Sequence, residues 1–307
     1  MEPPKEPAVS IHSAMSHRKC HIRRRWWVAI GVVLAVIAIA TIAVPLAVIL
    51  PNRTETAAAG QPASVLFPLY IYPEDNSTWG PLYEAITNHP TLNFLVVINP
   101  DSGPGDGSAP NEQYQAAITQ LSTYSNVQKV GYVRTGYGDR DINAVLSEIE
   151  TYAGWQAESA DLAMAGIFFD EVASEYSESI ADYLEEINSA VKNDAGVVGT
   201  RTVIHNPGTI PDSRLNVPGT DITVVFEQAY DVYINGVKED LDAIDADRTT
   251  WSYIFHSVPQ MDDRELQDFV NEISQKAAYL FVTTLSVDFY NNFDPELQRF
   301  VNAVTPE

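Results

Sequence analysis

The sequence predicts an α/β protein: a (β/α)8 barrel of the TIM type, preceded by a single N-terminal transmembrane helix. Eight apolar runs recur over residues 64–307, separated by stretches whose apolar residues lie three and four positions apart. Most of the runs are continuous rather than alternating, which is typical of parallel strands covered on both faces. Eight strand and helix units in about 244 residues match the size of such a barrel.

Three segments precede the barrel: a basic tail (residues 1–25), an apolar anchor (26–50) and a linker (51–63) of small and polar residues. Val28–Leu50 contains 23 residues without a charge. At about 1.5 Å per residue it is long enough to cross a bilayer core of about 30 Å. The paired Trp26 and Trp27 stand at its tail side, where indole rings anchor at headgroup level.

The charge distribution predicts the orientation of this anchor. The tail has six bases against two acids, whereas the rest of the chain has 12 bases against 39 acids. The tail is therefore expected in the cytoplasm and the barrel outside, as in a single-pass type II cell-membrane protein. A cleaved signal peptide, and hence secretion, is the alternative, because Ala57-Ala58-Ala59 resembles a cleavage site. Asn76 and Asn52 lie in glycosylation sequons, and Asn52 is close to the membrane.

Composition excludes several classes of function. The net charge of −23 makes a nucleic-acid partner unfavourable, because phosphate binding requires clustered Lys and Arg. The single cysteine, Cys20, lies in the tail, so the barrel has no disulfide and no thiolate zinc site. We expect a monomer that needs no cofactor and no metal.

The apolar runs delimit the predicted elements. The strands are Ser64–Tyr72, Leu92–Asn99, Val127–Arg134, Met164–Asp170, Thr200–His205, Asp221–Glu227, Thr250–His256 and Ala278–Thr284. Helical spacing covers Asn111–Tyr124, Asp141–Tyr152, Glu175–Asn193 and Asp262–Gln275, among other segments. An open, doubly wound sheet is the alternative, but the chain has no glycine-rich phosphate turn of the G-x-G-x-x-G or G-x-x-x-x-G-K-[ST] type.

Polar residues at the C-terminal ends of the strands are the candidates for the site, because barrel enzymes build their active sites there. Two strands run from apolar residues straight into acids: the fourth ends in Asp170 and Glu171, and the sixth in Glu227. Candidate substrate-binding residues at the other ends are Tyr70, Tyr72, Asn99, Arg134, Tyr137, His205, Asn206 and His256. Thr284 ends the eighth strand, and Asp288 follows it.

The three acids fit glycoside hydrolysis, which uses one protonated carboxyl group and one ionised carboxylate across the scissile bond. Burial and mutual proximity separate the pKa values of such a pair. In the structural alternative, Asp170 or Glu171 caps a helix that begins near Ser174. A metal site formed by Asp170, His205 and His256 is a further option, although no H-x-H or H-E-x-x-H motif occurs. The chain also lacks the G-x-S-x-G motif of serine hydrolases.

Six short motifs stand at or near the predicted strand ends: Pro68-Leu69-Tyr70-Ile71-Tyr72-Pro73, Val97-Ile98-Asn99-Pro100, Gly131-Tyr132-Val133-Arg134-Thr135-Gly136-Tyr137-Gly138, Gly166-Ile167-Phe168-Phe169-Asp170-Glu171, His205-Asn206-Pro207-Gly208 and Phe226-Glu227. In this order, the set resembles the spherulin-4 family over about residues 64–304. Fungal members of that family include glycoside hydrolase family 135. The resemblance implies a (β/α)8 barrel and an endo-acting hydrolase of galactosaminogalactan that cuts α-1,4-linked N-acetylgalactosamine. The acidic residues of the family fall on Asp170, Glu171 and Glu227.

Two main hypotheses follow for function, and a hydrolase for another glycan is a third. In the first, the chain is a membrane-anchored glycosidase whose partner is a polysaccharide, with Asp170 as nucleophile and Glu227 as acid and base. That assignment is made by analogy with retaining α-glycosidases on this fold. In the second, the same barrel is catalytically inactive and binds carbohydrate or organises the cell wall.

Overall fold

Eight parallel strands close into a barrel in chain order in the computed structural model, which describes residues 59–244 and 246–304. The eighth strand pairs with the first, Ser64 beside Tyr279 and Val65 beside Leu280, and this pairing closes the ring. The predicted barrel is therefore confirmed. Its strands are β1 (Ser64–Leu69), β2 (Phe94–Ile98), β3 (Val127–Arg134), β4 (Gly166–Asp170), β5 (Thr202–His205), β6 (Ile222–Ala229), β7 (Trp251–His256) and β8 (Tyr279–Val282).

Most of the strands are shorter than the apolar runs that predicted them, because apolar residues continue into the connecting turns. Leu92 is buried, but its N–H bonds to the carbonyl of His89 in a turn before β2. Tyr70 and Ile71 lie beyond the end of β1 and still pack against the core. Strand β3 has its predicted bounds, and β6 continues past Glu227 to Ala229.

Helices surround the barrel, and several begin at side-chain caps. They are α1 (Gly80–Asn88), α2 (Glu112–Leu121), α3 (Ile142–Glu158), α4 (Glu178–Asn193), α5 (Tyr230–Val232, Tyr233–Val237 and Lys238–Asp242, the middle part a π-helix), α6 (Asp263–Ser274) and α7 (Leu297–Val304). Asn111 and Asp141 accept backbone N–H bonds at the starts of α2 and α3. Asp262 and Glu265 form a capping box on α6, which satisfies two backbone donors reciprocally.

The first residues of α4 show whether Asp170 or Glu171 caps the helix that follows β4. The helix begins at Glu178, and its N-cap is Ser177, whose hydroxyl accepts the N–H of Ile180. Asp170 and Glu171 lie seven or more positions earlier and do not cap this helix. The capping interpretation of these two acids is therefore wrong.

The connection from β5 to β6 departs from the usual pattern. Within residues 206–221 the only helical element is a single 3-10 turn, Ser213–Leu215. The connection between β5 and β6 is therefore a loop rather than an α-helix. The loop also carries Asn206 and Gly208 to the mouth of the barrel.

The end of the predicted linker is bonded to the barrel. Gln61 N–H donates to the Ser274 hydroxyl at 2.9 Å, and the Pro62 carbonyl accepts from Arg248 at 2.8 Å. The predicted tail, the predicted anchor and Asn52 lie outside the described residues. In the part of the chain that is described, no helix combines the length and apolar character needed to cross a membrane.

Candidate active site

Asp170 and Glu227 come together at the C-terminal ends of β4 and β6, with Asn206 between them. Asn206 follows directly after β5, the strand that separates β4 from β6 in the barrel. Its Nδ2 lies 2.7 Å from Asp170 Oδ1 and 2.5 Å from Glu227 Oε2. One side-chain amide therefore bridges the two carboxyl groups.

Asp170 is the last residue of β4 and both of its carboxylate oxygens accept hydrogen bonds. The Tyr132 hydroxyl on β3 donates to Oδ2 at 2.7 Å, and Asn206 donates to Oδ1. The carbonyl of Asp170 accepts from the backbone N–H of Thr135 at 2.9 Å. The side chain and the backbone of Asp170 are thus both held by the neighbouring strands.

Glu227 reaches the mouth of the barrel because β6 contains a β-bulge. Val224 pairs with Ser252, whereas Phe226 pairs with Tyr253 and Glu227 with Ile254. Paired residues in a sheet point to the same side and successive residues alternate, so Val224 and Glu227 share a side. In a regular strand two residues three positions apart would face opposite sides. The extra residue in the bulge therefore turns Glu227 towards Asn206.

The surroundings of Glu227 favour its protonated form. Burial and the nearby charge of Asp170 raise the pKa of Glu227, although hydrogen bonds from Tyr290 and Asn206 offset part of the shift. The Tyr290 hydroxyl donates to Glu227 Oε1. A carboxyl group with a raised pKa beside a second carboxylate is the arrangement expected of a general acid.

The separation of the two carboxyl groups is limited by the shared amide. Because Asp170 Oδ1 and Glu227 Oε2 lie 2.7 Å and 2.5 Å from one nitrogen, they can be no more than about 5 Å apart. Retaining glycosidases have carboxyl groups about 5–5.5 Å apart, whereas inverting enzymes need about 6.5–9.5 Å to fit a water molecule. The upper limit for this pair of oxygens lies below the range of the inverting class.

Glu171 is directed to a different partner from its neighbour. Its φ of 51° is left-handed, and its side chain lies 3.8 Å from Arg134 Nε, an ion pair of two partly exposed groups. Its carbonyl accepts from the Tyr137 N–H at 2.6 Å and from the Thr135 hydroxyl at 2.7 Å. Glu171 therefore lies at the rim of the site and connects the loops after β3 and β4.

Backbone strain is concentrated at this end of the barrel. Among the described residues, five of the six non-glycine residues with left-handed φ follow strand C-termini: Ser102, Tyr137, Glu171, Ser257 and Asp288. Such conformations cost about 1–3 kcal/mol each and cluster at functional sites. The sixth, Arg201, precedes β5 at the opposite end. The distribution supports the mouth of the barrel as the functional end.

Three tyrosines form an aromatic wall beside the carboxyl groups. The Tyr70 ring lies 5.4 Å from that of Tyr132 and 5.2 Å from that of Tyr290, both edge to face. Burial, and then the charge of Asp170, raise the pKa of the Tyr70 hydroxyl. The wall keeps the hydroxyls of Tyr132 and Tyr290 in contact with Asp170 and Glu227.

The other candidate substrate-binding residues occupy the rim. Tyr72 and Tyr137 are 41% and 62% exposed. Asn99 lies after β2, and its side-chain oxygen accepts the N–H of Gly103 at 3.1 Å. His256 shares the side of Glu227, because it lies two residues after Ile254. Its ring stacks on Phe289 at 4.3 Å.

His205 does not reach the site. It is 3% exposed, and its Nε2 lies 2.8 Å from Asn188 Oδ1 on α4, in the helical layer. The prediction placed it at the mouth because it ends β5, but the alternation of the strand turns its side chain outwards. For the same reason His205 does not converge with Asp170 and His256 as a metal ligand. No cluster of three or more His, Cys, Asp or Glu in the described residues could hold a metal ion.

Tyr290 was not among the predicted site residues. It lies eight positions beyond the end of β8, in a loop held by Asp294, which accepts from the hydroxyls of Thr283 and Thr284. The sequence signal was present, since the rule that polar residues follow strand ends covers this loop. The predicted residues after β8 end at Asp288, two positions before Tyr290. Asn76, the predicted glycosylation site, is exposed in a turn after β1.

The comparisons with known proteins agree with this architecture. The crystal structure of Aspergillus clavatus Sph3 in complex with GalNAc is 39% identical, with a TM-score of 0.76 over 80% of this chain and 98% of that chain. Spherulin-4 of Physarum polycephalum is 34% identical over 174 residues, which is 57% of this chain but only about half (47%) of that protein. The model of the spherulation-specific family 4, Spherulin4, matches residues 64–304. This chain belongs to the spherulation-specific family 4.

Proposed function

We propose that this chain is an endo-acting glycoside hydrolase that cleaves α-1,4-linked N-acetylgalactosamine in galactosaminogalactan-type polysaccharide. The observation that carries the proposal is the pair of carboxyl groups bridged by Asn206, with oxygens at most about 5 Å apart, in the mouth of a (β/α)8 barrel. The complex of the 39% identical Sph3 with GalNAc supports a hexosamine as the sugar.

The environments of the two carboxyl groups support different roles for them. Glu227, whose pKa is raised by burial and by Asp170, acts as the acid. It gives its proton to the glycosidic oxygen as the bond from that oxygen to C1 breaks, while an oxygen of Asp170 bonds to C1. Water then attacks C1, Glu227 takes up the proton of the water, and Asp170 is released.

The stereochemistry of the substrate supports an enzymatic nucleophile. In an α-linked N-acetylgalactosamine the 2-acetamido group is cis to the leaving oxygen, so it cannot attack C1 from the opposite face. A carboxylate of the protein must therefore act, and Asp170 lies within reach of the same site as the acid. Two displacements at C1 retain the α configuration.

The rim supports an endo-acting enzyme. Tyr72, after β1, and Tyr137, after β3, expose large parts of their rings beyond the carboxyl pair. Tyrosine rings can pack on sugar faces while their hydroxyls form hydrogen bonds. A polysaccharide can consequently contact the protein beyond the sugar at the scissile bond.

The test is release of reducing ends from purified galactosaminogalactan by the full chain. Asp170→Asn and Glu227→Gln keep the shape of each side chain but remove the nucleophile and the acid. Glu272→Gln is the matched control, because Glu272 lies on α6 and binds Lys238 and Tyr233 outside the mouth. We expect turnover by the wild type and the control only, with the α anomer formed first in NMR spectra.

Other outcomes separate the alternatives. Binding of the polymer without release of reducing ends over a wide pH range would support the inactive carbohydrate-binding protein. The β anomer as first product would exclude Asp170 as a nucleophile, although the proposed polysaccharide substrate would be retained. Activity on a different glycan in a substrate panel would retain the mechanism and change the polymer.

We also propose that residues 26–50 anchor the enzyme in the cell membrane with the barrel outside. The support is the charge distribution of the sequence. Replacing Arg23, Arg24 and Arg25 by Gln should produce a fraction of inverted protein, detected as protease protection of the barrel in sealed cells. A mature protein that begins near Gly60 would show instead that the segment is cleaved.

A further inference from the structure

Asn206 has no free hydrogen-bond donor for a substrate. Its Oδ1 accepts the backbone N–H of Gly208 at 3.0 Å, which fixes the orientation of the amide because an N–H requires an acceptor. The two N–H groups of Nδ2 are then directed at Asp170 and Glu227. Gly208 adopts a φ of +65°, a left-handed conformation that favours glycine, so this contact is built into the backbone.

The backbone of Asn206 is held as firmly as its side chain. Its N–H donates to the carbonyl of Phe169 at 2.8 Å, and its carbonyl accepts the N–H of Val172 at 3.0 Å. These two residues flank Asp170 and Glu171 in the sequence. Asn206 is 5% exposed. The amide is thus a buried, rigid part of the turn that carries the nucleophile proposed above.

We infer that Asn206 is a positioning residue that holds Asp170 and Glu227 at a fixed separation and keeps Glu227 Oε2 as a hydrogen-bond acceptor. This inference rests on the proposed function and replaces the predicted role of Asn206 in substrate binding. Two carboxyl groups at about 5 Å repel each other when both are ionised, and the N–H groups between them offset that repulsion. Oε2 faces an amide N–H that can only donate, whereas Oε1 faces the Tyr290 hydroxyl, which donates to the ionised carboxylate and can instead accept from the protonated one. Oε1 is therefore the oxygen that carries the transferable proton.

The electrostatic consequence is specific to Glu227. The titratable groups that face it are Asp170 on β4, Tyr290 after β8 and Tyr70 after β1. Asn206 stabilises the ionised form of Glu227 by hydrogen bonding, so loss of the amide raises the pKa of Glu227 further. A residue that only bound substrate would leave the titration of Glu227 in the free enzyme unchanged.

The test is direct titration of Glu227 in the full chain labelled with carboxyl-13C glutamate, with Glu227→Gln used to assign the signal. In Asn206→Ala the midpoint should move upwards, on the order of one pH unit for a hydrogen bond to a charged group. The kcat should fall about 100-fold, as expected for misplaced reacting groups, with a smaller change in KM. The alkaline limb of the kcat/KM profile should move in the same direction as the titration.

Asn188→Ala is the matched control, since Asn188 is also a buried asparagine but binds His205, Pro218 and Thr220 in the helical layer. It should lower the melting temperature and leave the titration of Glu227 unchanged. If Asn206→Ala does not fold, Asn206→Asp retains the shape and the acceptor for Gly208 and should raise the midpoint further. An unchanged titration with an increased KM would overturn the inference. If Asn206→Ala shifts the titration of Glu227 but the wild type releases no reducing ends, the proposed function is refuted and the positioning of Glu227 by Asn206 is retained.

Discussion

The buried histidine beside the site gives a prediction about stability at acidic pH. Burial lowers the pKa of His205 to about 3. Its Nε2 must donate to Asn188 Oδ1, because the amide nitrogen of Asn188 already donates to Pro218 and Thr220. The folded protein therefore holds a neutral imidazole, whereas the unfolded chain binds a proton below about pH 6.5.

The direction and the size of the pH effect follow from the linkage between proton binding and folding. Because the pKa of His205 is lowered on folding, the contribution of its neutral form to the free energy of unfolding is fully present above pH 6.5. This contribution is lost as the pH falls towards 3. Each pH unit in that window costs about 1.4 kcal/mol in the free energy of unfolding. Between pH 7.5 and 5.0 the contribution of His205 is thus a loss of about 2 kcal/mol.

The assay is urea unfolding of the wild type and of His205→Gln at pH 7.5 and pH 5.0. Glutamine retains an N–H donor for Asn188 but does not titrate. We expect the loss of stability between the two pH values to be about 2 kcal/mol smaller in the variant, with KM for the polymer unchanged. An equal loss in both proteins would show that His205 is not the titrating group. An increased KM would restore the sequence-based prediction that it binds substrate.

Three further predictions concern the site and the barrel wall. Asp170→Asn and Glu227→Gln should each lower kcat by orders of magnitude, and Glu171→Gln should cause an intermediate loss, measured as release of reducing ends. Near wild-type turnover in Asp170→Asn or in Glu227→Gln would refute the two-carboxylate mechanism. Tyr137→Ala should raise KM for the long polymer more than for a trisaccharide, since the exposed ring lies at the rim; equal effects on both substrates would place Tyr137 next to the scissile bond. Lys129 is buried with its ammonium on the Ser122 hydroxyl and the Asp161 carbonyl, and burial lowers its pKa to about 8. Stability should therefore rise between about pH 8 and 10 as the unfolded chain retains its proton, and thermal unfolding of Lys129→Met should lack this rise.

The sequence by itself determined the fold and the location of the chemistry. Eight continuous apolar runs can be buried on both faces only in a parallel sheet, and their number and spacing favoured closure into a barrel. Parallel strands bring their C-terminal ends to one side, so Asp170 and Glu227 were expected together although 57 positions separate them. The predicted anchor remains a prediction from charge and hydropathy alone.

The direction of each side chain was decided by the tertiary structure. An apolar run without alternation does not show which residues face inwards, so His205 was placed at the mouth although it points to α4. The bulge in β6 reverses the side on which Glu227 emerges, and one extra residue in such a run leaves no mark in the sequence.

The partners of the two acids were also decided only in three dimensions. Tyr290 is 63 residues from Glu227 and meets it because β8 closes on β1, which brings the last loop back to the mouth. Asn206 was identified from its position, but its role depends on which hydrogen bonds its amide has already made. Saturation of a buried donor is a property of packed neighbours, and a linear chain does not contain it.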